Sequence, residues 1–218
     1  MIIDLSHPIR TEMRTYPGLA VPSLQVAVSR DESAARLDTG VSFEIESLTL
    51  VGNTGTYLDS PYHFHAERAD LAGLPLERLV NVPIVMVRAF GRTAVTAADL
   101  GEPDRLWGRA VLVHTGWARY WGTEAYLDLD CPHLTVDAVD VLVNGNAALV
   151  GIDSLNIDNP NDPSRPAHHG LLGADIPIVE HLTNLESVPD TGARLIALPA
   201  PVVAMASFPI RAVAVYDG

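Results

Sequence analysis

The chain lacks lysine altogether and contains a single cysteine, Cys131. Without lysine, the protein can form no Schiff base through a side-chain amine and has no phosphate-binding P-loop lysine. One cysteine excludes a disulfide within the chain and cannot build a cluster of thiolate metal ligands. No apolar run reaches the roughly 18 residues that span a bilayer. The first ten residues also lack the basic and apolar regions of a secretory signal, so we expect a cytoplasmic protein without a membrane segment.

Basic side chains are scarce, since 14 arginines face 27 aspartates and glutamates and give a formal net charge of −13. This acidic balance argues against binding to nucleic acid or to an anionic membrane surface. Hydrophobic residues make up 48% of the 218 positions and charged residues 19%, which is typical of a globular chain with a sizeable core. Because no segment resembles a linker or a repeat, we predict one domain over residues 1–218.

The pattern of apolar residues predicts more strands than helices. Six segments have the alternation or the short apolar runs of strands: residues 42–50, 82–90, 110–114, 148–153, 193–198 and 210–215. Thr135 is a candidate N-cap for a helix with apolar side chains at 136, 139, 142 and 143, which ends at Gly145. Residues 96–100 and 176–185 are further helix candidates. We therefore predict a single α/β domain with a central mixed β-sheet and few helices.

The densest polar segment is the loop at residues 52–65, GNTGTYLDSPYHFH, which follows a predicted strand. Ser60 and Pro61 have the chemistry of a helix start, with serine as N-cap and proline in the first turn. His63 then lies close to Asp59, and a carboxylate beside an imidazole can orient it as a general base. The alternative is that Asp59 and Ser60 only cap a turn and that the histidine is a surface residue.

A second polar cluster contains His168 and, twelve residues later, Glu180. Both are metal-ligand types, but this spacing matches no recognised local chelate. The alternative is an exposed loop histidine and a solvated helix glutamate. Asp153 and Asp158 follow a predicted strand, where side chains often line a ligand cleft, although acidic residues in such positions also form turns.

The order of these segments resembles the cyclase family, which includes bacterial kynurenine formamidase and isatin hydrolase. The family signature HxGTHxDxPxH aligns without gaps to residues 53–63, NTGTYLDSPYH. The similarity covers nearly the whole chain, with further matches at DLSHP (4–8), YPG (16–18), HTGW (114–117), GIDS (151–154), the segment from His168 through Leu171 and Leu172 to Glu180, and SFPIRAV (207–213). It implies the α/β fold of the family and assembly as a homodimer or homotetramer.

The resemblance also implies a reduced metal site. In metal-dependent members, the two early histidines and the aspartate of the signature hold one cation. The same aspartate, a later histidine and a glutamate hold a second where two are present. Here Asn53 and Tyr57 replace the early histidines, whereas Asp59, His168 and Glu180 fall at the second set of positions. One Zn²⁺ or Mn²⁺ at the second set is therefore one hypothesis, and a metal-free protein that uses these side chains as acids and bases is the other.

The two hypotheses imply different reactions on a small carbonyl-containing substrate. With a metal, we expect hydrolysis of an amide, lactam or lactone, with His63 as the acid/base. Without one, we expect cyclisation or dehydration, with His63 as base and Tyr57 or Glu180 as acid. The Tyr57 hydroxyl could also donate a hydrogen bond to a developing oxyanion. A non-catalytic protein that binds a small molecule after losing its metal is the alternative from another functional class.

Four side chains are candidates for binding the substrate. Asn53 and Thr56 lie in the polar loop of residues 52–65. His114 ends a predicted strand, where it could face a cleft or serve only as a structural histidine. Trp117 could wall a pocket for an aromatic substrate or pack at the edge of the core.

Overall fold

The computed structural model describes residues 1–216. These residues form 13 strands: β1 (Ile2–Asp4), β2 (Ser23–Val28), β3 (Ile45–Thr49), β4 (Tyr57–Asp59), β5 (Val80–Arg88), β6 (Ala94–Val95), β7 (Ala110–His114), β8 (His133–Leu134), β9 (Leu149–Ile152), β10 (Ile178–Glu180), β11 (Arg194–Ile196), β12 (Ser207–Pro209) and β13 (Val213–Val215). Their four α-helices are α1 (Arg30–Ala34), α2 (Ala97–Leu100), α3 (Val136–Asn144) and α4 (Pro166–Gly173). Within this part of the chain, no helix has the length and apolar character to cross a membrane.

Nine strands form one mixed sheet in the order β1-β13-β11-β5-β7-β9-β10-β4-β12. The central strands β5, β7, β9 and β10 are parallel. Antiparallel strands extend the sheet on both sides, with β11, β13 and β1 beside β5 and with β4 and β12 beside β10. The α/β fold with a central mixed sheet and few helices is therefore confirmed.

The continuous apolar runs of the sequence become strands because both faces of the sheet are covered. In β5, Val82 and Ile84 pack into one hydrophobic core, whereas Val85 and Val87 pack into the other. Neighbouring side chains of a strand point to opposite faces, so a strand buried on both faces needs apolar residues at successive positions. Helices α2, α3 and α4 supply apolar side chains to the second core.

The helix predictions are confirmed in two cases and wrong in one. Helix α3 has Thr135 as N-cap and Gly145 as C-cap, and α2 begins after the N-cap Thr96. The helix predicted at residues 176–185 is wrong, because this segment contains strand β10. All three residues of β10 are buried, and the strand pairs with β9 and β4. A short apolar run buried in the sheet carries no periodicity that separates a strand from a helix.

Strands β2 and β3 form a separate antiparallel hairpin. Nearly all of its residues are exposed. Leu24 lies opposite Leu48, and both are more than half exposed, at 54% and 52%. A two-stranded hairpin is at best marginally stable alone in water. This hairpin also exposes apolar side chains, unlike the central strands of the main sheet.

Candidate active site

The register of three antiparallel strands brings four polar side chains together. Tyr57 of β4 lies opposite Glu180 of β10, and Asp59 of β4 lies opposite Ser207 of β12. Positions 57 and 59 share one face of β4, since side chains alternate along a strand. Tyr57 donates a hydrogen bond to Glu180, and Ser207 donates one to Asp59. The sheet thus holds a phenol, a hydroxyl and two buried carboxylates on one face.

His63 lies on a single turn of 3₁₀ helix, Pro61–His63, that follows β4. Ser60 is its N-cap residue by backbone conformation, as expected, but its hydroxyl donates to the carbonyl of Ala206 and does not cap the turn. The Nε2 atom of His63 lies 4.0 Å from Asp59 Oδ1. Burial lowers the pKa of His63, against the raising effect of Asp59. The predicted proximity of His63 and Asp59 is therefore present.

His168 lies on helix α4 and is buried, and its position is set by Asp158. The Asp158 carboxylate accepts from the backbone N–H groups of Ala167 and His168, at 2.6 and 3.1 Å. Its Oδ2 atom also lies 2.6 Å from His168 Nδ1. This carboxylate fixes the imidazole through one nitrogen and leaves Nε2 available. Carboxylates often hold metal-binding histidines in this way, by a hydrogen bond to the ring nitrogen that does not bind the metal. The alternative of an exposed loop histidine is wrong, because the loop predicted around position 168 is a helix packed against the sheet.

Asp59, His168 and Glu180 converge on a common space. His168 Nε2 lies 3.7 Å from Asp59 Oδ2 and 3.9 Å from Glu180 Oε1. Asp59 Oδ2 is fully buried and has no hydrogen-bond partner among the described residues. Glu180 is equally buried, on a strand, so the alternative of a solvated helix glutamate is also wrong. An unpartnered buried carboxylate oxygen is costly unless a cation or a donor meets it.

The burial of these groups shifts their ionisation in different directions. Burial opposes the charge of His168, but the carboxylates of Asp158, Asp59 and Glu180 raise its pKa to about 10. Burial would raise the pKa of Asp59, but His168, His63 and Ser207 hold it below its ordinary value. Burial raises the pKa of Glu180 to about 7, despite the opposing effect of His168.

Burial, with the charges of Glu180 and Asp59, raises the pKa of Tyr57 well above its ordinary value. The phenol is therefore neutral at physiological pH and acts as a hydrogen-bond donor.

A cavity of about 230 Å³ reaches this cluster. Its size lies below the range of roughly 300–1,000 Å³ that holds drug-sized ligands, which favours a small substrate. Larger cavities of about 350 and 490 Å³ lie elsewhere and contain none of the clustered acid, base or ligand side chains. The lining of the smaller cavity combines apolar and polar groups: Tyr16, Leu19, Asn53, Tyr57, His63, Phe64, Asn156, Arg165, His168 and Glu180.

Of the four side chains predicted to bind substrate, only Asn53 lines this cavity. Thr56 is buried, and its hydroxyl donates to the carbonyl of His181. His114 lies at the end of β7 beside Arg88 and lines a different cavity. Trp117 packs at the edge of an aromatic cluster and donates its indole N–H to the carbonyl of Tyr126. The geometry therefore favours the structural alternative for Trp117 and places His114 at a different cavity.

Ser207 and Arg165 were absent from the residues selected by sequence, as were the cavity-lining side chains of Tyr16, Leu19, Phe64 and Asn156. Ser207 belongs to a matching segment, but only strand pairing places it against Asp59. Asp158 carried a weak signal, since it follows a strand in an acidic loop. Arg165 gave no signal, because its place in the cavity depends on how the loop before α4 folds.

The donor sets differ in how well they fit a divalent cation. Two ligands about 2.1 Å from Zn²⁺ at tetrahedral angles are separated by about 3.4 Å. The separations of 3.7 and 3.9 Å around His168 Nε2 are close to that value, so His168 can share a cation with either carboxylate. Among the described residues, the set whose ligand atoms all lie within 4.8 Å of one another is Asp59, His63 and His168, and this set does not include Glu180.

The position of Asn53 and Tyr57 does not fit a second cation. A phenol binds a divalent cation well only after losing its proton, and Tyr57 holds its proton more tightly than an ordinary tyrosine. Its hydroxyl is also bound to Glu180. An amide oxygen such as that of Asn53 is a poor ligand for zinc.

The sequence is similar to those of known hydrolases over nearly its whole length. The kynurenine formamidase of Bacillus thuringiensis (strain Al Hakam) is 28% identical over 215 residues, which cover 97% of this chain and 95% of that protein. The kynurenine formamidase of Bacillus cytotoxicus (strain DSM 22905 / CIP 110041 / 391-98 / NVH 391-98) is 26% identical over 211 residues, with the same coverage.

The fold is shared with solved structures of isatin hydrolase A. The enzyme from Labrenzia aggregata has a TM-score of 0.82 at 23% identity, covering 98% of this chain and 93% of its own. The enzyme from Ralstonia solanacearum has a TM-score of 0.84 at 20% identity, covering all of this chain and 92% of its own. The model of the family described as "Putative cyclase" matches residues 3–159, which is well over half of the sequence. The chain therefore belongs to this cyclase family and is an enzyme.

Proposed function

We propose that the protein hydrolyses the carbon–nitrogen bond of a small amide, formamide or lactam. One divalent cation would be held by Asp59, His168 and Glu180, and His63 would carry the proton. The single observation that carries this proposal is the buried Asp59 Oδ2 atom, which accepts no hydrogen bond in residues 1–216 and lies 3.7 Å from His168 Nε2. The activities named for the formamidase and isatin hydrolase relatives support the same reaction class.

The residues that would hold the cation are already arranged without it. Asp158 orients His168, and Tyr57 and the backbone N–H of Ile157 orient the two oxygens of Glu180. When bound there, Zn²⁺ or Mn²⁺ would supply a Lewis acid that polarises the substrate carbonyl and lowers the pKa of a water molecule.

His63 is placed to move protons between the attacking water and the leaving nitrogen. It is partly exposed, lines the cavity, and has Asp59 and Ser207 beside its two ring nitrogens, at 4.0 and 3.5 Å. During hydrolysis, the oxygen of water bonds to the carbonyl carbon, His63 accepts a proton from that water, and the carbon–nitrogen bond breaks. The leaving nitrogen then takes a proton from His63, so the charges and atoms balance.

We assign Tyr57 as a positioning residue for Glu180. Its hydroxyl proton is directed to the Glu180 carboxylate, so in this geometry it does not donate to an oxyanion in the cavity. This differs from the role that the sequence suggested. A donor to a buried carboxylate fixes the orientation of that group, which affects its capacity as a metal ligand.

Hydrolysis is better supported than cyclisation, dehydration or simple binding. His168 lies within 4.0 Å of two buried carboxylates, and the relatives with named activities are hydrolases. The grouping of Asp59, His63 and His168, with a buried carboxylate oxygen that accepts no hydrogen bond, also counts against a non-catalytic protein, because such an arrangement is costly for a protein that only binds a ligand.

We also propose that a second copy of this chain covers the hairpin of β2 and β3. Leu24, Val26 and Leu48 are more than half exposed on this hairpin. Leu24 and Leu48 lie opposite each other across the two strands, and exposed apolar side chains grouped in this way are more typical of an interface than of a monomer surface. A net charge of −13 favours contact between copies through apolar side chains over contact through their acidic surfaces.

The test of the proposed reaction is hydrolysis of two probes, formanilide and isatin, by protein reconstituted with Zn²⁺ or Mn²⁺. We expect release of formate from the first or ring opening of the second. His63→Gln should lower kcat by about 10²–10⁴-fold, the usual contribution of a general acid–base. His65→Gln is the matched control, since His65 does not line the cavity. Absence of hydrolysis of both probes, or an unchanged rate in the His63→Gln variant, would contradict the proposal.

A further inference from the structure

Arg165 places the positive charge of its guanidinium in the lining of the cavity. It is the only arginine among the cavity-lining residues in the described part of the chain, and lysine is absent from the sequence. Its guanidinium pairs with no carboxylate within 4.0 Å in residues 1–216. A half-buried guanidinium without a carboxylate partner can bind an anionic ligand at the cavity.

The position of this guanidinium is set by its neighbours. Arg165 Nη1 donates to the Oδ1 atom of Asn156 at 3.0 Å, and the same oxygen accepts the backbone N–H of Asp158 at 2.9 Å. Asn156 is buried, so it holds the guanidinium from the protein side. Only one N–H group of Arg165 is used in this contact, and guanidinium N–H groups are arranged to bind a carboxylate in pairs.

The backbone of Arg165 is also held in an unusual conformation. Its φ and ψ angles are 47° and 56°, in the left-handed region that residues other than glycine rarely adopt. The adjoining N-terminus of α4 offers no competing anion site, because Asp158 already accepts its first free N–H groups, those of Ala167 and His168. The side chain of Arg165 therefore has no competing anion site in the backbone beside it.

We propose that the substrate carries a carboxylate, or an equivalent planar anion, that Arg165 binds while the reacting carbonyl lies at the cluster of Asp59, His63 and His168. This inference rests on the proposed function and narrows its substrate class to anionic carbonyl compounds. Apolar side chains such as Leu19 and Phe64 line the same cavity and suit a hydrocarbon or aromatic part between the two ends.

The experiment compares the binding of benzoate with that of benzamide, which has the same shape and no charge, to the full-length protein by calorimetric or NMR titration. We expect benzoate to bind about tenfold or more tightly than benzamide, as a charge-assisted hydrogen bond provides. Arg165→Gln should abolish that preference, whereas Arg165→Lys should keep part of it as a point charge. Arg105→Gln is the matched control, because Arg105 is exposed and lies outside this cavity.

The outcomes separate this inference from the proposed reaction. Equal binding of the two probes by the wild type, no binding of either in the millimolar range, or a preference for benzoate that survives Arg165→Gln would overturn the inference. The first two results need no variant, so they decide the matter even if Arg165→Gln does not fold. A preference that depends on Arg165, in a protein that hydrolyses neither the neutral probes formanilide and isatin nor 2-formamidobenzoate, which adds a carboxylate to formanilide, would support the anion site and overturn only the proposed reaction.

Discussion

Tyr57 donates its phenolic hydrogen to Glu180, its direct partner across the paired strands β4 and β10. The contact joins the residue that replaces an early histidine of the family signature to a carboxylate that we propose as a metal ligand. It therefore links that replacement to the orientation of the proposed ligand.

Replacing Tyr57 with phenylalanine should weaken metal binding and lower stability together. The Oε2 atom of buried Glu180 would lose its donor, which costs about 1–3 kcal/mol in the free energy of unfolding. We expect the Kd for Zn²⁺ to rise about tenfold, because the carboxylate would no longer be held in place. Chemical denaturation and metal titration measure the two effects. Tyr120→Phe is the control, and a Tyr57→Phe variant with unchanged Zn²⁺ affinity would contradict the positioning role.

Replacing Asp158 with asparagine should disturb the orientation of His168 without changing any residue that lines the cavity. The amide cannot match the carboxylate that accepts from two backbone N–H groups and faces the imidazole. We expect the Zn²⁺ affinity to fall about 10–100-fold, which is the usual effect of removing a hydrogen-bond partner of a metal ligand. Asp162→Asn is the matched control in the same loop, since Asp162 binds Ser164 at the surface. Equal Zn²⁺ affinities in the two variants would contradict the assigned role of Asp158.

His7 should make the protein less stable as the pH falls. Burial, and then the nearby His181, lowers the pKa of His7 to about 4. Between pH 6.5 and 4 the unfolded chain therefore binds a proton at His7 that the folded protein excludes, and the free energy of unfolding decreases. At pH 7 the histidine is largely neutral in both states and contributes little.

The variant His7→Phe should lose this pH dependence while keeping the stacking on Trp121, whose ring centroid lies 3.9 Å from that of His7. Urea unfolding at pH 7 and pH 4.5 measures how much stability each protein loses between the two pH values. We expect the loss in His7→Phe to be about 1–2 kcal/mol smaller than the loss in the wild type, a figure that allows for the partial exposure of His7. His169→Gln, at an exposed position, should behave as the wild type. An identical loss in His7→Phe and wild type would contradict the prediction.

Disrupting the hairpin should change the oligomeric state. A charge at Leu24 would lie opposite Leu48, on the surface that we propose a second copy covers. Analytical ultracentrifugation should show the wild type at a multiple of 23.4 kDa and Leu24→Asp at the monomer mass. Val203→Asp is the control, because Val203 is 77% exposed and lies outside the hairpin. A monomeric wild type, or an oligomeric Leu24→Asp variant, would contradict the interface.

The fold was predictable where the pattern of apolar residues directly reflects which side chains are buried. Two-sided burial gave β5 and β7 their unbroken apolar runs, and Thr135 and Gly145 marked the ends of α3. Strand β10 was mistaken for a helix because three buried residues contain too few positions to show a period. The exposed hairpin was only half predicted: the alternation at residues 42–50 indicated β3, whereas β2 was not predicted, and neither strand has a buried face.

The candidate site was predictable as a set of residues more than as a geometry. Local spacing and the family signature selected Asp59 and His63, and the later match selected His168 and Glu180. The contributions of Ser207 and Arg165 depend on strand pairing and loop conformation, which bring together positions distant in sequence. His114 was selected because it ends a strand, but that strand end faces a different cavity.

The central claim is that one cation, bound by the retained donor set, is sufficient for hydrolysis. The direct test is to dialyse chelator-treated protein against increasing Zn²⁺ and to measure bound metal and formanilide turnover at each step. We expect turnover to rise in proportion to bound Zn²⁺ and to level off at one equivalent per chain, with His168→Ala binding almost none. Full turnover in the presence of chelator, or a requirement for two equivalents, would contradict a one-cation site.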